Sequence, residues 1–577
     1  MRTGRKIWQG TVAVCALLQL TSAVWAQSAN PEDAALEGLR RQEERGRQQQ
    51  HQLEPKADVL KPATGHRARP ADLPPEERCF TVRELRLQGQ DWERFTWVAD
   101  AALPYLGRCL GVQGLARVAG HLDEQLVERG FVTTRVSLPS QNLHSGVLQI
   151  QIHVGRIADI RLVDVGPAGP QPSTGTWSNA FPVSQGDILN IRDIEQGVEQ
   201  MKRLPSQSVT TQLEPGPRPD TSVLVIQRQS AQWRDRLRGG LTLDNSGGAA
   251  LGRLQLSANL VLDNPLGLND VASASASTNA QSPSGHHRSQ SLGLNYSIPW
   301  GYNTVSLSAS HSRFAQFVQG TTVRFLSSGN SQTAEARLQR TIWRSSSARL
   351  GVYGALSLRR AESFLDDVEV LVQRRRTSTA EAGINYKQLL QNGSLEFDLG
   401  QRRGLSWNAQ QDLTTAAAGG PTLRPRMWQA AASYTQGVAL GGRRLQYNGN
   451  LRAQRTRHMT LSIDQIAIGG RGSVRGFDGD AVLLAENGWI WRNEMATPVS
   501  LGDTMRHGAL FVALDMGRVW GPSDINLVGH KLAGAGVGLR GAISNVQFQL
   551  TLAAPLRRPE GFRTRRWSAY ASLSYAF

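Results

Sequence analysis

Residues 567–577 read Trp567-Ser568-Ala569-Tyr570-Ala571-Ser572-Leu573-Ser574-Tyr575-Ala576-Phe577. Trp567, Ala569, Ala571, Leu573, Tyr575 and Phe577 share one parity; Ser568, Tyr570, Ser572, Ser574 and Ala576 share the other. A β-strand turns successive side chains to opposite faces, so this stretch is a strand with one apolar face and one mostly hydroxyl-bearing face. Lipid asks for the first face, with aromatics at the strand ends, and a wet interior suits the second. The alternation recurs upstream in Leu254, Leu256, Ala258, Leu260 and Leu262, in Leu350, Val352, Leu356 and Leu358, and in Leu395, Phe397 and Leu399. Clusters of Gly, Asn, Ser and Pro separate these stretches. A soluble sandwich or propeller also alternates, but no blade-length repeat is visible. The 347 residues of 231–577 have room for roughly sixteen strands, at about 20 residues per strand with its connection. A barrel of that size encloses an aqueous channel unless something fills it.

Composition narrows the rest. The chain has 577 residues, 40% of them hydrophobic, with 58 Gly and only 3 Cys. That is too apolar for disorder, too Gly-rich for a helical array and too Cys-poor for a disulfide scaffold. Beyond the amino terminus no 18-residue apolar run occurs, which excludes a polytopic helical membrane protein but not a barrel. The net charge of +17 fits a cationic lumen, an acidic partner or Arg-rich loops facing lipopolysaccharide.

The amino terminus reads as a secretory signal over 1–26. Arg2, Arg5 and Lys6 precede the apolar run Val12–Leu18, and Ala23-Val24-Trp25-Ala26 supplies the small-residue cleavage site. Residues 27–53 follow as a helix, with Asn30 as N-cap and Pro31 at its first position. Its few apolar residues (Ala34, Ala35, Leu36, Leu39, Leu53) suit a solvated helix or one in a polar lumen. Pro55, Pro62, Pro70, Pro74 and Pro75 mark 54–78 as a semi-extended linker.

Two small α/β blocks come next, 79–155 and 156–230. The first shows strands at Phe80–Leu87, Phe131–Val136 and Gly146–Val154 around a helix from Leu115 to Arg129. The second repeats the pattern with strands at Ile157–Val163, Val209–Leu213 and Ser222–Gln227 and a helix at Ile191–Lys202. Cleavage of the signal leaves Cys79 and Cys109 in an oxidising compartment. A bridge between them closes a loop of about 30 residues, worth roughly 3–4 kcal/mol in the chain-entropy model; the other reading is two separate buried thiols. No Cys/His set with ligand spacing surrounds them, so no metal is expected, and His121 and His153 read as surface or edge residues.

Parity also places charges. Leu510, Val512, Leu514 and Met516 take one side of a strand, and Phe511, Ala513, Asp515, Gly517 and Val519 take the other. A charge on the lipid side costs a few kcal/mol, so Asp515 faces the lumen. The same argument turns Arg492 and Glu494 inward, opposite Trp489 and Trp491.

One stretch breaks the alternation: Ile468-Gly469-Gly470-Arg471-Gly472-Ser473-Val474-Arg475-Gly476-Phe477. With Val474-Arg475-Gly476-Phe477, Phe511…Asp515-Met516-Gly517, Arg129-Gly130-Phe131-Val132-Thr133-Thr134, Arg492-Asn493-Glu494 and Gly534-Ala535-Gly536-Val537-Gly538-Leu539-Arg540, the chain resembles a two-partner secretion transporter. This is the haemolysin/filamentous-haemagglutinin secretion type within the outer-membrane assembly factors. The resemblance spans nearly the whole mature chain; Phe477 stands where Tyr is commoner.

The resemblance implies a sixteen-stranded transmembrane β-barrel preceded by two polypeptide-transport-associated (POTRA) domains, with the 27–53 helix as a plug. A loop of about 464–488 would enter the lumen and set Val474, Arg475, Gly476 and Phe477 against an inner-wall partner, Asp515 with Gly517, or alternatively Glu494. It implies outer-membrane localisation with periplasmic POTRA domains, and export of one large unfolded exoprotein recognised through its amino-terminal secretion domain. Lipopolysaccharide and, during biogenesis, the barrel assembly machinery would be the other partners. The alternative in the same superfamily is a factor that inserts other barrels.

An enzyme is disfavoured. Gly536–Gly541 matches a dinucleotide fingerprint but sits among barrel strands with no following helix. There is no Gly-x-Ser-x-Gly elbow and no His-Glu-x-x-His. No catalytic residue, metal or cofactor is expected, and a secretory chain argues against a nucleic-acid partner.

Overall fold

In the computed structural model of the chain, residues 60–61, 72–166, 169–171, 175–230, 233–281, 286–319, 323–501 and 505–577 are described. The signal 1–26, the helix 27–53 and most of the linker 54–78 lie outside the described residues.

The first α/β domain contains β1 (Phe80–Thr81), β2 (Glu84–Gln88), α1 (Trp97–Ala102), β3 (Cys109–Leu110), α2 (Val112–Glu128), β4 (Arg135–Ser137) and β5 (Val147–His153). Its sheet has the order β2-β5-β4, with β2 and β5 parallel. The expected strand Phe80–Leu87 is split in two. Phe80–Thr81 pairs with Cys109–Leu110, and the chain then re-enters the main sheet at Glu84. Phe131–Thr134 turns instead of extending, because Phe131 packs edge-on to Phe95 (5.0 Å). Leu148, Ile150, Ile152 and Val154 all point into the core, as their alternation required. Cys79 and Cys109 are bonded, with Cα atoms 5.2 Å apart. His121 is buried beneath Tyr105, a correction to its reading as a surface or edge residue.

The second domain contains β6 (Arg156–Gly166), β7 (Gly169–Gln171), α3 (Ile191–Lys202), β8 (Gln207–Pro215) and β9 (Thr221–Ser230) in the order β7-β6-β9-β8. Arg228 is fully buried here and forks onto Asp164, its register partner across β6 and β9, through two bonds of 2.6 Å.

Then the barrel begins. Its strands are β10 (Leu237–Asp244), β11 (Gln255–Asp263), β12 (Val271–Asn279), β13 (Arg288–Trp300), β14 (Asn303–Gln319), β15 (Arg324–Arg344) and β16 (Ala348–Leu365). They continue with the two-residue β17 (Val368–Glu369), β18 (Arg375–Leu390), β19 (Gly393–Leu405), β20 (Arg426–Leu440) and β21 (Arg443–Thr456). After a loop holding β22 (Ile466–Ile468) and β23 (Leu483–Ala485) come β24 (Asn487–Leu501), β25 (Met505–Trp520), β26 (Lys531–Ile543), β27 (Val546–Arg557) and β28 (Ser568–Ala576). Sixteen long antiparallel strands close the sheet, β28 against β10. Gly536–Gly541, the apparent nucleotide fingerprint, is part of β26.

Pairing carries the parity assignment around the barrel, because directly opposed residues share a face. The lipid-facing row on β28 is Ala569, Ala571, Leu573 and Tyr575, opposite Leu552, Leu550, Phe548 and Val546. The inner row on β12 is Ser273, Ser275, Ser277 and Asn279, all buried. Thus the barrel is apolar outside and polar inside, the reverse of the two domains before it.

The second domain sits on the barrel's inner rim. Side chains of α3 reach the β13–β14 turn: Gln200 Nε2 donates to Gly301 O (3.0 Å) and Asp193 accepts from the Tyr302 hydroxyl. Glu199 takes Arg344 Nη2 at 2.9 Å and also Arg349, at opposite sides of the β15–β16 turn. Asn179 and Asn269 extend the seam to the β11–β12 turn (3.0 Å). Near Asp193 burial raises the carboxyl above its usual range; the Tyr302 hydroxyl offsets this in part and Asp187 adds to it.

Candidate functional site

The loop between β21 and β24, residues 457–486, does not stay outside. β22 and β23 pair as a short ribbon, Ile466↔Ala485 to Ile468↔Leu483, and carry the Gly-rich turn into the lumen. Ile468, Val474, Phe477 and Leu483 form an apolar knot with Ile490, Val519, Leu532 and Phe562. Phe477 is fully buried and meets Phe562 edge-on at 5.7 Å. This knot fixes the loop's direction and leaves Arg475 on its polar side.

Arg475 is 5% exposed and Asp515 is 0% exposed. The guanidinium forks onto the carboxylate, Nε to Oδ2 at 2.6 Å and Nη2 to Oδ1 at 2.8 Å, and the Arg475 backbone N–H adds a third bond at 3.0 Å. Nη1 donates to Glu494 Oε2 at 2.9 Å, and Nη2 also reaches Asn493 O at 3.2 Å. A guanidinium has five N–H donors, so one arginine engages both acids. Sequence reasoning set Asp515 and Glu494 as alternatives, whereas both are partners. Arg540 closes the network by donating to the other oxygen of Glu494 at 2.5 Å, and Arg492 Nε stands 3.8 Å from Asp515. Below lies a cavity of about 510 Å³ lined by Arg475, Arg492, Glu494, Arg540, Asn448 and Asn450, among others.

Close approach explains the small residues. Gly476 has φ +105°, and a Cβ there would lie 2.4 Å from Ala554 O. Gly534, the register partner of Asp515, leaves room for the Arg475 carbonyl: a Cβ would come within 1.9 Å of it. Gly517 does the same for Ile468 and Val474, at 2.8 and 3.2 Å.

Sequence reasoning missed Tyr570. Its hydroxyl donates to Phe477 O (2.7 Å) and accepts from Gly476 N (3.1 Å), holding the motif's backbone. Its inward parity was readable; its partner was not. Further anchors ring the lumen. Asp464 pairs with Arg402 on β19, and Asp480 with Arg253 in the β10–β11 loop at 2.5 Å. Arg471 donates to Ala571 O on β28 (3.2 Å) and lies 4.0 Å from Asp244 on β10, so it touches both strands of the closing seam. The loop therefore spans the outer half of the lumen, tied to opposite walls.

A closed sixteen-stranded barrel with a wet lumen, an inward loop and two α/β domains at its inner rim is an outer-membrane pore with periplasmic domains. A family model described as haemolysin secretion/activation protein ShlB/FhaC/HecB matches residues 220–541, and POTRA models match 80–155 (ShlB-type) and 156–215. The chain belongs to this ShlB/FhaC/HecB family. It is an outer-membrane transporter of two-partner secretion that exports an exoprotein, with its POTRA domains in the periplasm.

It is 33% identical to the outer membrane transporter CdiB-2 of Burkholderia pseudomallei (strain 1026b), over 98% of each chain. It is 25% identical to the hemolysin transporter protein ShlB of Serratia marcescens, over 81% of this chain and 80% of that one. The solved structure of CdiB from Escherichia coli superposes with a TM-score of 0.80 at 27% identity, covering 96% of this chain and 100% of that one.

Proposed function

We propose that the barrel conducts its exoprotein unfolded and that the loop carrying Arg475 sets when the path is open. The observation that carries this reading is the double engagement of Arg475. A loop that crosses the lumen is held by one buried cation to two wall carboxylates, a contact that can be made or broken as a unit. The exoprotein enters through its amino-terminal secretion domain, captured in the periplasm by the POTRA domains. β8 ends the sheet of the second domain and offers its outer edge for an added strand, whose main-chain hydrogen bonds give affinity. The 27–53 helix plugs the pore until the exoprotein arrives. Support comes from the linker: Lys61 N donates to Ser346 O in the β15–β16 turn (2.7 Å), and Leu60 is buried, so the chain just after that helix lies at the inner mouth. The periplasm has no ATP, so folding outside supplies the pull. Lipopolysaccharide is the outer-leaflet neighbour, and the cell's barrel assembly machinery inserts the chain.

The nature of the exoprotein follows the transporters this chain resembles over nearly its full length, the CdiB proteins, more than the hemolysin transporters. The deciding experiment is secretion of the large protein encoded beside this chain, with and without it. Accumulation in the periplasm only on deletion establishes the pairing. Unchanged secretion with depleted outer-membrane barrels moves the reading to an assembly factor. Deleting residues 32–53 raises planar-bilayer conductance if they are the plug; unchanged conductance removes that part.

A further inference from the structure

The outer ends of five neighbouring strands carry arginine on the lipid-facing parity. They are Arg360 on β16, Arg376 on β18, Arg403 on β19, Arg426 on β20 and Arg455 on β21, all exposed. Their face is fixed by pairing. Arg360 shares parity with Leu356 and Leu358, Arg403 with Phe397 and Leu399, and Arg426 with the exposed Trp428. Arg376 is the direct register partner of Arg360, and Arg426 that of Arg403. Directly opposed residues place their Cβ atoms about 5 Å apart, and like charges so placed repel.

Among the described residues none of the five makes an ion pair with a carboxylate. Their inner-parity neighbours behave differently: Arg359 and Arg402 both pair with Asp464. Glu362, two residues beyond Arg360 on the same face, is engaged by Asn330 Nδ2 at 3.2 Å. At the closing seam the residues of this parity near the outer strand ends, Leu243, Leu256, Thr278 and Ala569, carry no charge. Other outer ends carry cations on this parity too, Arg518 opposite Lys531 on β25 and β26 among them, but the β16–β21 wall sets two such opposed arginine pairs beside an interfacial tryptophan, Trp428, whose register partner is Arg455.

We infer that the β16–β21 wall is a binding site for the phosphorylated glycolipid of the outer leaflet, lipopolysaccharide, with the paired arginines on its lipid A phosphates. This rests on lipopolysaccharide being the outer-leaflet neighbour, as proposed above. A phosphate presents several acceptor oxygens to forked guanidinium donors, and a diphosphorylated lipid bridges two arginine pairs that otherwise repel. Its acyl chains lie along Leu356, Leu358, Phe397 and Leu399 below.

The test is native mass spectrometry of the full chain in detergent, titrated with diphosphoryl lipid A, with dephosphorylated lipid A and with zwitterionic phospholipid. The probes are the wild-type protein, Arg403→Gln/Arg426→Gln, and Arg340→Gln as a control on the lipid face near the inner end of β15. Heat-modifiable mobility on gels confirms that each barrel is folded. Wild type and Arg340→Gln bind the diphosphoryl lipid in preference to the dephosphorylated one, and the double variant loses about tenfold in affinity. Equal binding by the double variant overturns this site while leaving the neighbour intact. Wild-type binding that ignores the phosphates overturns the neighbour and the site together.

Discussion

Among the described residues two arginine–aspartate forks are buried, and they differ in what they join. Arg228 and Asp164 are register partners on adjacent strands of one sheet, inside the apolar core of the second POTRA domain. Arg475 and Asp515 are 40 residues apart and join a loop to a wall across a wet lumen, with Glu494, Arg492 and Arg540 around them. The first fork has nowhere else to go, because its strands stay adjacent whether or not the pair forms. The second ties its loop to the wall, beside the apolar knot of Phe477 and the Tyr570 bonds. A buried ion pair is weak evidence for net stability, since desolvation offsets attraction, but removing one partner is costly. The topology decides where that cost appears, as unfolding in one case and as loop release in the other.

The largest effect is expected at the sheet. Arg228→Ala leaves Asp164 in an apolar core and lowers the stability of the second POTRA domain by about 3–5 kcal/mol, read by urea unfolding of the periplasmic domains. A loss under 1 kcal/mol would make the fork ornamental. Arg475→Ala removes a comparable interaction yet spares the barrel. Heat-modifiable mobility stays, residues 457–486 become sensitive to external protease, and export falls on the order of tenfold as the free loop becomes the common state. Asp515→Asn does less, because Glu494 and Asn493 O still hold the guanidinium. If Asp515→Asn equals Arg475→Ala in protease sensitivity, Glu494 contributes nothing and the two-acid account fails. Tyr570→Phe removes two bonds to the motif's backbone, at about 1 kcal/mol each, and is expected to give partial protease sensitivity with export near normal.

Legibility in the sequence follows the same division. Period-two alternation and the lipid cost of charge placed Asp515, Arg492 and Glu494 inward, because a barrel strand's faces follow from parity alone. Val474-Arg475-Gly476-Phe477 was legible as a motif through its break in that pattern. What it docks against was not, since Tyr570 and Gly534 matter only through the path of a loop 30 residues long, which no local rule fixes. The choice between Asp515 and Glu494 was posed as exclusive because an ion pair suggests one partner; the donor count of arginine removes the dilemma. In the first POTRA domain the two misread strands, Phe80–Leu87 and Phe131–Val136, both lie where a tertiary contact wins. The β1–β3 bridge beside the disulfide redirects one, and the packing of Phe131 on Phe95 turns the other.

A third charge, exposed rather than buried, marks the weak end of the contrast. Glu76 lies at the end of the linker and accepts the N–H groups of Gly111, Gln113 and Gly114 at the start of α2, at 2.8–2.9 Å. Desolvation pushes its carboxyl up, but these three bonds outweigh it and hold the carboxyl below its ordinary 4.5. The group has a lower pKa folded than unfolded. Its contribution is therefore complete above 4.5 and is lost as the pH falls through the folded value. Glu76→Gln keeps an acceptor but removes the charge from a helix N-terminus, where a charge is favoured. Hydrogen exchange of the first-turn amides of α2 is expected to quicken a fewfold at neutral pH in the variant, and the difference from wild type to shrink as the pH falls through the folded value and Glu76 becomes protonated. Cys79, three residues on, ties the same linker to Cys109 just before the helix, so the segment stays nearby when the cap is lost. A difference between variant and wild type that persists unchanged in acid would mean that shape, not charge, makes the cap.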